Sequence, residues 1–251
     1  MKKAGPFRVV SVFCAAVLAA SMVAPISLAA SAPPSISGPG SLAGIWYTEA
    51  SSGFPRDSDE FLKSPFAERF AEVRAAGRRG APIGDNTPDC FPPGIPRVLL
   101  APYPIEILET PGQVTVITEY MGQVQRVFMD GREHPSADQL DPTYVGHSVG
   151  RWEGSTLVVD TVGLRTTTQL DGQLLPHSDE LRVVQRYTRK ADKLELEVTA
   201  IDPKAYSRPI TMKKVFDQRS DLNIIEYVCL ENNRNPNGAG GVTGFVAPGG
   251  R

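Results

Sequence analysis

The sequence predicts a mainly β protein, an antiparallel meander of about ten strands closed into a barrel. Three observations lead there. Short segments with apolar residues at alternate positions recur from Leu42 onward and dominate after Ile105. Most are joined by brief turns rich in Gly, Pro and Asp, as consecutive antiparallel strands require. A meander of that length also leaves two unpaired edges, and closing the sheet on itself removes both.

The N-terminus is set aside first. Lys2, Lys3 and Arg8 precede an apolar run from Val9 to Ala24, and small residues follow at Ser27, Ala29 and Ala30, the layout of a cleaved secretory signal over residues 1–30. The run is short for a membrane span, and no later stretch would stop transfer, so a periplasmic or secreted protein without stable membrane insertion is expected. Cleavage takes three basic residues from 26 and none of the 28 acidic ones, leaving 23 against 28 and a formal charge of −5. That balance, with no basic block beyond Arg78-Arg79, argues against nucleic acid as a partner. Cys14 falls inside the signal. Cys90 and Cys229 remain, and in an oxidising compartment a disulfide between them is expected over two separate buried thiols.

Residues 31–40, SAPPSISGPG, read as a linker, and 41–231 as a single barrel domain. Leu42 to Tyr47 is the first strand. The one helix begins with Ser64 as N-cap and Pro65 at the first helical position; Phe66, Phe70 and Val73 form its apolar stripe, and Gly77 or Gly80 ends it. Asp85 to Arg97 contains four prolines and reads as irregular, pinned by Cys90. Strands follow at 105–109, 114–120 and 124–129. Next comes a hairpin turning at Glu153-Gly154, then strands at 181–188, 194–200, 210–216 and 224–230. The Gly/Asn-rich tail, 232–251, is expected to be disordered.

Two resemblances attach to these residues. Gly44-Ile45-Trp46 resembles the G-x-W of the calycin group, lipocalins and fatty-acid-binding proteins, which implies a calycin-like barrel; a helix after the first strand is closer to the fatty-acid-binding side. The lipocalin T-D-Y motif and the helix after the last strands are missing. Over most of the chain the sequence is similar to a group of exported bacterial proteins of largely uncharacterised function. The shared motifs are a C-x-P-x-G-x-P-R loop, here Cys90 to Arg97, a D-G-R-x-H-P turn, here Asp130 to Pro135, and G-x-S-x-G-x-W-E-G-D-T-L-V-V-D-T, here Gly146 to Thr161 with Ser155 in place of Asp. This group implies no particular reaction, only that the three segments form one site.

The candidate chemistry centres on the hairpin. A turn at Glu153-Gly154 places Trp152 opposite Ser155 and His147 directly opposite Asp160, close enough for an imidazole and a carboxylate to meet. Carboxylate partners fix an imidazole's tautomer and raise its basicity, as a general base near neutral pH requires. His134 with Asp130, and His177 with Asp179 or Glu180, are second candidates. Arg132 or Arg151 can meet developing negative charge, while Trp152, Tyr120 and Tyr144 are candidate walls for a small apolar ligand. Periodicity leaves open which hairpin face points inward: one carries His147, Arg151 and Asp160, the other Trp152, Leu157 and Val159. The histidines lack metal-site spacing such as H-x-H or H-E-x-x-H, and no nucleotide-binding glycine motif is present, so neither metal nor cofactor is expected. The expected function is binding of a small, largely apolar molecule with metal-independent acid–base chemistry of isomerase, hydro-lyase or hydrolase type. The alternatives are a lipocalin-like binding or transport protein without turnover and, if the interior is fully packed, a structural protein. Oligomeric state is not legible.

Overall fold

The computed structural model describes residues 40–81 and 83–232. The expected signal, all of the linker but Gly40, and all of the tail but Asn232 lie outside the described residues. Nine strands form a closed barrel in chain order: β1 (Gly44–Tyr47), β2 (Ile105–Thr110), β3 (Gln113–Thr118), β4 (Val124–Phe128), β5 (His147–Glu153), β6 (Thr156–Val162), β7 (Arg182–Lys190), β8 (Lys193–Ile201) and β9 (Ile210–Gln218). Among the described residues no helix is long and apolar enough to cross a membrane.

Alternation explains the longest strands. In β8, Leu194, Leu196, Val198 and Ala200 are buried, while Lys193, Glu195, Glu197 and Thr199 face outward. Outward charges pair across the ladder to β9: Glu197 lies opposite Lys213, with their side chains 2.9 Å apart. Tight turns fall at Pro111-Gly112 and Ala191-Asp192, where Gly112 and Ala191 take positive φ, at +72° and +56°.

Closure is made by β1, which pairs antiparallel with both β2 and β9. Its Trp46 is fully buried and donates its indole N–H to the Leu42 carbonyl at 2.7 Å, so the G-x-W residues seal the seam.

The structure corrects the expected meander at two points. The segment 224–230 is not a tenth strand: β1 already joins β9, so no edge is left to pair with, and the segment is irregular before the short helix α3 (Cys229–Asn232). The sheet is also not wholly antiparallel. β4 and β5 run parallel over Val127↔Ser148 and Phe128↔Val149, which obliges residues 129–146 to carry the chain back along the outside of the barrel.

Apart from the returning segment 129–146, strand polarity places the longer connections at one end: 48–104, 119–123, 163–181 and 202–209. The first holds α1 (Phe66–Arg78) and α2 (Arg97–Leu100), so the β1–β2 insertion has more than the one helix expected. Pro65, not Ser64, precedes the first helical residue of α1, and no side chain caps it; Phe70 is its buried anchor, and Gly80 turns the chain at φ +73°. The stretch 85–97 is irregular as expected, except for a single 3-10 turn at Thr87–Asp89 and the Arg97 that opens α2. Val98, Leu99 and Leu100 of α2 are buried in the core. Cys90 and Cys229 form the expected disulfide, closing a loop of 139 residues; a loop that long stabilises the fold by about 4–5 kcal/mol in the chain-entropy account.

Candidate functional site

The barrel interior is filled. Trp46, Tyr187 and Phe216 are fully buried among Ile105, Ile107, Leu157, Leu196 and Val198. A polar seam crosses the inner faces of β4 to β7. Gln125 Nε2 donates to Ser148 Oγ at 2.9 Å and to Gln185 Oε1 at 2.8 Å; Gln185 Nε2 reaches Tyr187 Oη at 3.2 Å; Ser148 and Thr161 hydroxyls meet at 2.9 Å. Each member serves another. Lys214, inward on β9, donates to the Leu99 and Ala101 carbonyls at 3.1 and 2.6 Å, so the strand holds α2 like a latch. Burial pushes its ammonium down to about 8.

The face of the β5–β6 hairpin that points inward is therefore the one carrying Ser148, Gly150, Leu157, Val159 and Thr161, with Trp152 half-buried at its end. His147 and Asp160 share the outer face. The expected register is corrected: the turn falls on Gly154-Ser155, with Gly154 at φ +61° as first central residue, and His147 lies opposite Val162 while Asp160 lies opposite Val149. Moving a two-residue turn by one position slides the ladder by two, which keeps each residue on its face but separates the expected pair.

His134 fills the separation. The returning segment 129–146 lays its ring between the two, with Nδ1 2.8 Å from His147 Nδ1 and Nε2 3.8 Å from Asp160 Oδ1. Asp160 is held by Arg182, whose Nε lies 2.8 and 3.0 Å from the carboxylate oxygens and whose Nη2 joins them. Phe128 packs against His147 with centroids 5.3 Å apart, and the Arg132 guanidinium sits 3.9 Å over the Phe128 ring.

An Nδ1···Nδ1 contact needs one N–H and one lone pair. The Asp160 carboxylate favours the proton on His134 Nε2, so His147 Nδ1 is the donor and His134 Nδ1 the acceptor. That Nε2 is buried and has no partner within hydrogen-bond distance. Burial, the largest cause in both rings, pushes both imidazoles below their ordinary value; Asp160 opposes it at His134, and the neighbouring His134 and Arg132 add to it at His147. The neutral form of both rings is thereby favoured.

Beside this cluster lies a groove of about 940 Å³, formed where the returning segment (His134, Pro135, Ala137, Leu140, Pro142) faces the end of β6 and the loops after it (Val162 to Thr167, Asp179 to Leu181). Its volume falls in the range of small-molecule sites, about 300–1,000 Å³, and its lining is mainly apolar. A second cleft of about 200 Å³, with Phe91, Pro92, Pro93 and Tyr144, adjoins it and shares Arg165 and Thr167.

The remaining candidates are dispersed. Asp130 and Arg132 form an exposed ion pair, the guanidinium holding the carboxyl below its usual range. His177 is buried, with Nδ1 donating to the Ser178 carbonyl at 2.8 Å and Nε2 2.9 Å from Thr168 Oγ1, and it fixes the 163–181 loop rather than lining the groove. Arg151 is tied to Glu153 near the hairpin turn. Tyr120 stacks on Tyr103 at 4.8 Å with Tyr227 edge-on to both, and Tyr144 lies under Arg165. Sequence reasoning missed Arg182 and Arg165. Arg182 was detectable only with the β6–β7 register in hand, since Asp160 pairs with Val184 and Arg182 is its same-face diagonal neighbour. Nothing in the sequence marked Arg165.

No protein-family model matches the chain, and no curated protein sequence matches it. Among solved structures, a secretary abundant heat soluble (SAHS) protein from Ramazzottius varieornatus aligns over 72% of this chain and 96% of its own, at 12% identity and a TM-score of 0.28. A likeness of that degree adds nothing to what the strand pairing already displays.

Proposed function

We propose that this is an exported barrel protein that binds a small, largely apolar molecule in the groove outside the barrel, against the His134 wall. The observation that carries this reading is the groove itself: a volume suited to a small molecule, apolar side chains along most of its length, and a few polar groups at fixed positions, while the interior is occupied by its own side chains. The signal-like N-terminus and the Cys90–Cys229 disulfide support export.

A second reading, acid–base chemistry on the bound molecule, is favoured by the unpartnered His134 Nε2. In it His134, which lines the groove, exchanges the proton, His147 holds its ring through the Nδ1 contact, and Asp160 steadies it from the other side. Val162, which lines the groove, is the cross-strand neighbour of His147.

The test is titration with the neutral fluorophore phenylnaphthylamine. The purified protein is expected to bind it, and Val162→Glu, which places a charge on the groove floor, to weaken binding by about tenfold or more with the melting temperature little changed. Undiminished binding in Val162→Glu contradicts the groove as the site.

A further inference from the structure

Arg165 stands at the waist between the groove and the adjoining cleft, a position that among the described residues it shares with Thr167. Its backbone is fixed by donation from Arg165 N to the Thr143 carbonyl at 3.0 Å, next to the isolated bridge between Thr143 and Leu164. Its side chain is fixed by Nε, which donates to the Pro142 carbonyl at 3.1 Å, and by the Tyr144 ring 5.1 Å beneath the guanidinium. Arg165, exposed and pre-oriented, forms no ion pair among the described residues; others such as Arg126 and Arg208 form none either, and what sets Arg165 apart is that it lines both the groove and the cleft. Thr166 and Thr167, both exposed, also line the groove next to it in sequence. The groove's acidic residues, Asp179 and Glu180, line the groove but not the cleft, and Asp179 is already paired with Lys204 at 2.6 Å. The positive charge available to a ligand in the groove is therefore at the waist, on Arg165.

We propose that the groove's occupant is an organic anion. Its apolar body lies on Leu140, Val162, Leu164 and Leu181, and its carboxylate, sulfonate or phosphate is received by the free Nη groups of Arg165 and the neighbouring threonine hydroxyls. This rests on the groove reading and adds to it the chemical class of ligand.

Two fluorophores separate the claims, because anilinonaphthalene sulfonate and phenylnaphthylamine share a ring skeleton and differ by the anionic group. Wild-type protein is expected to bind the sulfonate about tenfold more tightly than the neutral probe at low salt, with the margin shrinking as salt is raised. In Arg165→Gln the margin between the sulfonate and the neutral probe should disappear, the ratio of the two affinities being the readout; Arg165→Lys should keep part of the margin, showing that charge and not packing was lost. Equal affinities in wild type, or Arg165→Gln binding the sulfonate as wild type does, overturns the proposal while leaving the groove reading intact. Failure of both probes to bind wild type overturns both.

Discussion

The inside of the barrel and the outer face of its β5–β6 hairpin come from the same strands, yet they treat polar groups in opposite ways. Inside, Gln125, Ser148, Thr161, Gln185 and Tyr187 satisfy one another, and Lys214 is bound by two carbonyls. Outside, His134 Nε2 has no hydrogen bond, Asp160 standing 3.8 Å away, and Arg165 has no counter-ion among the described residues. A spent polar network specifies a fold, whereas an unspent one beside an apolar groove is ready for a ligand. On the proposed reading, the binding capacity of this closed barrel lies outside its cup.

The sharpest way to break this division is to damage the interior and watch the groove. Trp46→Ala removes the largest side chain at the β1 seam and is expected to cost about 3–5 kcal/mol of unfolding free energy by chemical denaturation. Under conditions where the variant remains folded, phenylnaphthylamine affinity should match wild type. A parallel loss of affinity would mean that interior and groove are one unit.

A smaller effect separates the regions by pH. Lys214 is held at about 8 in the fold against 10.5 as its ordinary value, so the folded state carries fewer protons than the unfolded chain between those values, and stability rises with pH there. The gain is up to about 3 kcal/mol. Above pH 10 the buried Tyr187 and Tyr206 hydroxyls, both pushed upward by burial, act in the opposite direction, which leaves pH 8–10 as the useful window. Lys214→Met should flatten the slope in that window. The histidine pair acts on the acid side: both rings sit below their unfolded value, so their contribution is complete above about 6.5 and fades as pH falls through the folded values. Being partly wet, they should contribute less than Lys214. The double variant His134→Leu, His147→Phe should remove this acid-side slope and leave the Lys214 window unchanged; a reversed assignment of the two slopes would contradict the comparison.

Much of the barrel was legible because a strand with one face buried advertises itself at period two, as in Leu194, Leu196 and Val198 against Glu195 and Glu197. The turn chemistry at Gly112 and near Ala191 was equally local. What escaped was non-local. Ile224 to Leu230 carries apolar residues suited to a strand, but the closure of β1 on β9 left no edge to accept them. The parallel neighbourhood of β4 and β5 leaves no trace in composition, so the path that brings His134 between His147 and Asp160 could not be foreseen from the residues that take it. The shared face of His147 and Asp160 survived an error in turn position because a slide of two preserves parity, whereas their direct contact did not survive it. Arg165 depends on two loops and the returning segment meeting, which no window of sequence contains.

The most direct test is amide chemical-shift mapping of the labelled protein titrated with anilinonaphthalene sulfonate. The account predicts shifts confined to residues 134–142, 162–167 and 179–181 on the outside of the barrel. Shifts concentrated instead at inward positions such as Ile107, Leu196, Val198 and Met212 would place the ligand inside the barrel and contradict it.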